Sequence, residues 1–352
     1  MLKVPRQVRS AMFFRCGTPL IAIGVFFAAA HWSLAQSGPL SEKEVTERAR
    51  KEGEVVFYTS LGAGSSQPLA SLFEKRFPFL KARVFRLGNE KLLSKVMTEA
   101  RAGRHTVDVV LMNILNLRLL QKAGLLAPYN SRESAAIPEP LKDPQGHWTA
   151  VYSRLWVIGF HTGMVPAKDA PRDWMELMQP KWKGKIGMDP EETEWYIALV
   201  GYWGKEKTQR FFRQLMSQNP SLRRGHTLLA QLTAAGEFPL SIAYAHNVEQ
   251  MKHAGAPMDW VAESDPITVS PSVVALAAHA PHPHAARLLI DHVLSKEGQS
   301  LLSGDYRVAA RQDVTPLSPK LVLSRLKGAY VKPEFADDFV RLQKEYHDIV
   351  GR

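Results

Sequence analysis

Short runs of β-branched and aromatic residues alternate along this chain with apolar residues spaced three and four apart, a pattern of strands followed by amphipathic helices. Val55, Val56, Phe57 and Tyr58 predict a buried strand over 54–58, ending in a flexible turn over 59–66. Leu69, Leu72, Phe73 and Phe77 then recur at helical spacing, with Pro68 in a first turn where its missing N–H costs nothing. The unit repeats as a strand over 82–87 and a helical face of Leu92, Leu93, Val96, Met97 and Ala100 stopped by Gly103. A strand over 107–112 and a helix over 115–123, followed by Gly124, complete a third unit. Three strand–helix units in series predict a parallel sheet covered by helices.

Beyond a passage rich in proline (Pro128, Pro138, Pro140, Pro144), residues 154–161 read as a long strand. A second α/β region follows, with helices over 174–178, 192–203, 205–216 and 227–235 and strands over 185–188 and 240–245. Residues 265–280 are extended and apolar, as a strand returning to a sheet would be. Ala286, Leu289, Ile290, Val293 and Leu294 share one helical face, and a helix over 335–350 closes the chain. A sheet region, a strand out, a second sheet region and a strand back predict two lobes with a hinge. The cleft at the carboxyl ends of the strands is then the expected ligand site.

The balance of 45% hydrophobic and 22% charged residues is that of a soluble globular protein, and 352 residues set a prior of two domains. Lys and Arg number 45 against 34 Asp and Glu, a net charge of +11. Part of that charge is local: Lys3, Arg6, Arg9 and Arg15 precede an apolar stretch from Gly17 to Ala30, and the small residues Ser33 and Ala35 follow. This is the pattern of a secretory signal peptide over 1–35, cut after Ala35 and too short in its apolar part to span a bilayer. The remaining 317 residues carry +7, spread through the chain, which favours solubility and gives no ground for a nucleic-acid partner. Cys16, the one cysteine, leaves with the leader, so the mature chain forms no disulfide and relies on its core. A bacterial periplasmic location is expected.

Four segments carry a resemblance. They are Glu54-Val55-Val56-Phe57-Tyr58-Thr59-Ser60, Val107-Asp108-Val109-Val110, the block Asp173-Trp174 with Pro180-Lys181-Trp182-Lys183-Gly184-Lys185-Ile186-Gly187-Met188-Asp189-Pro190, and the helix from Ala285 to Glu297-Gly298-Gln299. In this order they resemble the extracellular solute-binding proteins of ABC importers, nearest the ferric-ion-binding branch with the type II periplasmic binding fold. The resemblance implies an α/β fold of two lobes, each a mainly parallel sheet flanked by helices, joined by a strand hinge. Residues 36–152 plus 268–310 would form lobe 1, 153–267 lobe 2, and 311–352 a C-terminal helical segment packing on the lobes. It also implies a monomer that binds a small molecule or ion and hands it to an ABC permease in the inner membrane.

An enzymatic role finds no support in the motifs: His-Glu-x-x-His and Gly-x-Ser-x-Gly are absent and the mature chain has no cysteine. A ligand-sensing subunit, or an enzyme on the same scaffold, is the alternative. In the ferric branch two adjacent tyrosines follow the strand that ends here near Ala245, and those positions hold His246 and Asn247. A carboxylate often supplied after the third strand falls near Met112 and Asn113, and the early histidine of some members is missing from the 60–66 turn. These departures favour an organic or anionic solute. Tyr244 with His246 would be the metal ligands of a variant ferric site, the ferric ion then being the transported ligand; no resident cofactor is expected.

Candidate ligand-binding residues follow from position. Ser60, Ser65 and Ser66 lie in the turn that opens a helix, where free N–H groups favour a carboxylate or phosphate, the bland reading being an ordinary helix cap. Arg154, at the start of the crossover strand, offers a bidentate guanidinium or an interlobe salt bridge. Asn113 is a polar group at a strand's end or the cap of the next helix; Tyr196, beside Trp195, is an aromatic pocket wall or core. Tyr244, His246 and Asn247 are pocket residues or a helix start capped by Asn247. His279, His282 and His284 resemble a metal tract but fall in a surface turn away from the expected cleft.

Overall fold

The computed structural model describes residues 40–351, so the leader over 1–35 lies outside the described residues. Helix α1 (Glu42–Glu52) starts at Ser41, whose hydroxyl accepts from the Glu44 N–H while the Glu44 carboxylate accepts from the Ser41 N–H, and Gly53 ends it at φ 73°. The predicted units follow as β1 (Glu54–Thr59), α2 (Ala63–Arg76), β2 (Lys81–Arg86), α3 (Asn89–Arg101), β3 (Val109–Asn113) and α4 (Ile114–Lys122). After β4 (Leu126–Ala127) the long strand β5 (Thr149–His161) leads to β6 (Ile186–Met188), α5 (Thr193–Trp203), α6 (Lys205–Ser217), β7 (Ser221–Leu222), α7 (His226–Ala234), β8 (Leu240–Tyr244), α8 (Ala245–His253) and β9 (Met258–Trp260). The chain returns along β10 (Ile267–Ala277) and finishes with α9 (Pro283–Leu294), α10 (Lys296–Gly304), β11 (Val308–Ala309), β12 (Gly328–Tyr330) and α11 (Phe339–Val350).

Among the described residues the strands hydrogen-bond in the order β2-β1-β3-β10-β5-β8-β6-β7. On one side β1 pairs parallel with β2 and β3; on the other β6 pairs parallel with β7 and β8. Between these groups β5 and β10 run antiparallel, from Trp156 opposite Thr268 to Thr149 opposite Val274, with a register shift between Ser272 and Val273. The chain therefore leaves the first group along β5 and comes back along β10. Both strands are buried on both faces, so their polar residues, among them Ser153, Arg154, Thr268, Ser270 and Ser272, lie inside the protein.

The core beside the second group is aromatic. Trp195 packs on Trp174, Phe211 and Phe212 with ring centroids 4.7 to 5.7 Å apart. Helix α11 closes it: Tyr346 packs tilted against Tyr196 and edge-on to Phe212, and its hydroxyl accepts from the Glu192 N–H at 3.2 Å. The C-terminal helix thus holds the start of α5, and α5 borders the site described below.

Five sequence expectations are corrected. The expected turn over 59–66 is half helix, since α2 begins at Ala63 behind Gly62, and Pro68 stands inside the helix rather than in its first turn. Arg154 does not start the crossover strand; it is the sixth residue of β5, because Thr149 to Ser153 continue the ladder against β10. The helix expected to run from Ala285 through Gln299 breaks at Ser295, whose side chain caps α10 by accepting from the Gly298 N–H. The closing helix starts at Phe339, after a 3₁₀ turn over Pro333–Asp337. Asn247 caps nothing: it is the third residue of α8, whose cap position is Tyr244.

Candidate ligand-binding site

Two adjoining cavities lie where helices leave the carboxyl ends of strands from both groups. The larger, about 330 Å³, is bordered by the starts of α3, α4 and α5 and by Arg154, Trp156, Asp189, Arg224, His226, Tyr244 and Phe339. The smaller, about 150 Å³, shares Asn89, Arg154, His226 and Tyr244 with it and adds Ser60, Gly62, Tyr152, Gly225, Thr227, His246, Asn247 and Arg307. Sites at the carboxyl ends of strands are expected of open α/β sheets.

Arg154 joins the two. From the middle of β5 its Nη2 donates to Glu194 Oε2 at 2.7 Å and to Ser270 Oγ at 2.9 Å, while Nη1 donates to the Tyr244 hydroxyl at 3.2 Å. Ser270 in turn donates to Glu194 Oε1 at 2.8 Å, so β5, α5 and β10 meet in one buried network. Burial opposes the guanidinium charge most strongly, but the Glu194 carboxylate, Tyr244 and Tyr152 together outweigh it and raise the Arg154 pKa. Burial also pushes the Tyr244 phenol well above its ordinary value of 10, against the smaller pull of Arg154, and leaves it protonated.

An aromatic ladder runs along the shared wall. His226 lies flat on Tyr244 with centroids 3.4 Å apart at 18°, and His246 follows at 5.5 Å and 22°. Trp156 meets the Tyr244 ring edge-on at 4.9 Å, and its Nε1 donates to Glu192 Oε2 at 2.6 Å. Glu192 also faces His226 Nε2 at 3.1 Å; burial raises its pKa, with His226 working against the rise. His246 is neutral: burial first, then Arg307, lowers its pKa well below the ordinary 6.5. Arg307 Nη1 donates to its Nε2 at 3.2 Å, so that nitrogen carries no proton.

Three helices open onto the smaller cavity without a side-chain cap: α2 at Gly62, α7 at Gly225 and α8 at Tyr244. Their first N–H groups lack intrahelical partners, and their dipoles add positive potential. No aspartate or glutamate among the described residues lines this cavity, whereas Glu90, Asp189, Glu191 and Glu194 line the larger one. Asp189 Oδ2 accepts from the Gly225 N–H at 2.6 Å, which fixes the turn into α7.

A family model described as a bacterial extracellular solute-binding protein matches residues 105–333. The chain belongs to this family. It is 22% identical over 303 residues to the "Iron uptake protein A1" of Synechocystis, covering 80% of this chain and 83% of that one. Its fold matches iron-bound HitA from Pseudomonas aeruginosa at a TM-score of 0.76 and 20% identity, covering 84% of this chain and 99% of that one. It also matches the periplasmic binding protein AfuA from Actinobacillus pleuropneumoniae, solved with exogenous fructose-6-phosphate, at a TM-score of 0.77 and 23% identity, covering 85% and 99%. The type II periplasmic binding fold and a solute-binding role follow for this chain.

In this solute-binding protein the sequence candidates separate. Ser60, Arg154, Tyr244, His246 and Asn247 line the smaller cavity, and Asn113 lines the larger one while capping α4 by accepting from the Asn116 N–H at 2.8 Å. Ser65 and Ser66 are buried inside α2; Ser65 accepts from Arg307 Nε at 3.2 Å and donates to Asp305. Tyr196 lies elsewhere, in the aromatic core with its hydroxyl on Glu345 at 3.2 Å, because it points from α5 toward α11. His282 pairs with Asp108 at 2.9 Å and His284 with Glu52 at 2.7 Å, so these histidines tie the start of α9 to the residue before β3 and to the end of α1. Sequence reasoning missed Asn89, Glu192, His226 and Arg307. His226 had a weak signal, standing just after Gly225 at a helix start; Arg307 had none, since only the tertiary fold carries it to α2 and α8.

Proposed function

We propose that the mature protein is a periplasmic receptor of an ABC importer that captures a small anionic organic solute and hands it to a membrane permease. One observation carries the ligand class: two arginines and three uncapped helix starts surround a cavity lined by no carboxylate of the described residues. The sugar phosphate bound in the AfuA structure is in keeping with that chemistry. Residues 36–152 plus 268–310 and residues 153–267 act as lobes that close on the ligand by motion about β5 and β10, with 311–352 packed on them, and binding energy offsets closure. The protein acts as a monomer and performs no catalysis; recovery of the ligand unchanged after long incubation checks the latter.

A ferric reading has specific support in the names of the relatives and in Tyr244 and His246 standing together in the cavity. Against it, ferric iron prefers several anionic oxygens, and Tyr244 is a single buried phenol held protonated beside Arg154. Native mass spectrometry on protein drawn gently from a periplasm tests both readings. The expected result is a carried mass matching an organic anion; a mass of iron that disappears in Tyr244→Phe would instead establish the variant ferric site.

A further inference from the structure

We propose that Arg307 is the side chain that grips the ligand's anionic group in the smaller cavity, and that the turn Asp305-Tyr306-Arg307 is built to present it. The inference rests on the anionic reading of that cavity and names the residue that carries it.

Arg307 is only 7% exposed, yet it lines the cavity. Its Nε donates to Ser65 Oγ and its Nη1 to His246 Nε2, both at 3.2 Å; Nη2 has no hydrogen-bond partner among the described residues. The two arginines of the cavity differ in how far they are neutralised. Arg154 holds Glu194 at 2.7 Å, a contact pair. The carboxylate of Asp305 stands 3.4 Å from Arg307 Nε, and it is shared, accepting also from Ser65 Oγ and from Gln250 Nε2 at 2.5 Å. The neutral His246 supplies no negative charge. A buried guanidinium so loosely paired is costly until an anion completes its coordination. The Tyr152 ring, 4.8 Å below the guanidinium carbon, holds its position.

The mount is unusual. Tyr306 has φ 60°, a left-handed conformation that bulky residues rarely adopt and that recurs at ligand clamps. That geometry sets Asp305 and Arg307 on the same two helices: both reach Ser65 of α2, and they reach Gln250 and His246 of α8. Helix α2 follows a strand of the first parallel group and α8 a strand of the second. An anion bonded to Arg307 therefore acts on a tie between the two groups, at the wall of the cavity itself.

Calorimetric titration of the full mature chain with inorganic phosphate and with fructose 6-phosphate tests this. Arg307→Gln is expected to weaken whichever anion the wild type binds by about tenfold to a hundredfold, the range for a lost charged hydrogen bond, and Arg307→Lys by less. Asp305→Asn keeps one acceptor, for Ser65 Oγ, gives up the one for Gln250 Nε2 and removes the competing charge, so it is expected to tighten binding; a turn that merely supports the fold would give no gain. Melting each variant without ligand shows which fold, and Arg307→Lys and Asp305→Asn carry the test if Arg307→Gln does not. Binding by Arg307→Gln within about twofold of wild type, or weakened binding by Asp305→Asn, overturns the assignment of Arg307 alone. Failure of the wild type to bind either probe, with no organic anion carried from the periplasm, overturns the anionic reading and this inference with it.

Discussion

His292 shows how a single side chain ties stability to pH. It is buried on α9, its Nε2 donates to the Leu69 carbonyl at 3.2 Å, and its Nδ1 is buried without a partner among the described residues. Burial lowers its pKa below the ordinary 6.5, against the weaker pull of the Leu69 carbonyl, and His246 is shifted the same way. A histidine held neutral in the folded state lets the unfolded chain bind protons first, so stability present above pH 6.5 is lost as pH falls below it, by up to about 1.4 kcal/mol per pH unit for each group. Glu192 works in the opposite sense: its raised pKa means that stability grows as pH falls through the folded value toward 4.5. Comparison of one variant with wild type separates these effects. Urea unfolding at pH 7.5 and 5.5 is expected to show a smaller acid loss in His292→Gln, which keeps a donor for Leu69; equal losses in the two proteins would refute the assignment.

At the scale of elements, the Glu297-Gly298-Gln299 signature has a packing reason. The chain turns sharply at Ser295 between α9 and α10, and a Cβ on Gly298 would stand 2.3 Å from the His292 carbonyl oxygen. Gln299 then fastens the corner, its Nε2 donating to the Val293 carbonyl at 3.0 Å and its Oε1 accepting from the Ala310 N–H at 3.0 Å. Alanine would gain up to about 1 kcal/mol of helix propensity over glycine, but the clash is with backbone that cannot step aside. Gly298→Ala is expected to lose about 1–3 kcal/mol in urea unfolding, and a neutral result would show that the corner is free to open. The same corner sends the chain to the Asp305-Tyr306-Arg307 turn, so a motif that lines neither cavity helps to place a residue of the smaller one.

For the whole molecule, the two parallel groups are linked by β5 and β10, and the closure proposed above would be absorbed there. The register shift between Ser272 and Val273 and the tie through Arg307 are the features that such a motion would strain. Small-angle scattering is expected to show a smaller radius of gyration when the solute found by native mass spectrometry is added. An unchanged profile under saturating ligand would remove the hinge from the mechanism.

The strand and helix periods, the leader pattern and the family resemblance were legible in the residues because each depends on neighbours in the chain. Val55 to Tyr58 alternate with a helix face within twenty residues, and no distant contact is needed to read them. The sequence by itself thus determined the α/β order, the crossover strands and the position of Tyr244 and His246 at a strand's end. Where α2 begins, whether Tyr196 faces a cavity or the core, and which arginine is left loosely paired were decided by tertiary structure alone. The reason is physical. Burial and charge pairing belong to residues far apart in sequence: Ser65 with Arg307, Arg154 with Glu194, Tyr196 with Tyr346. No period along the chain encodes them.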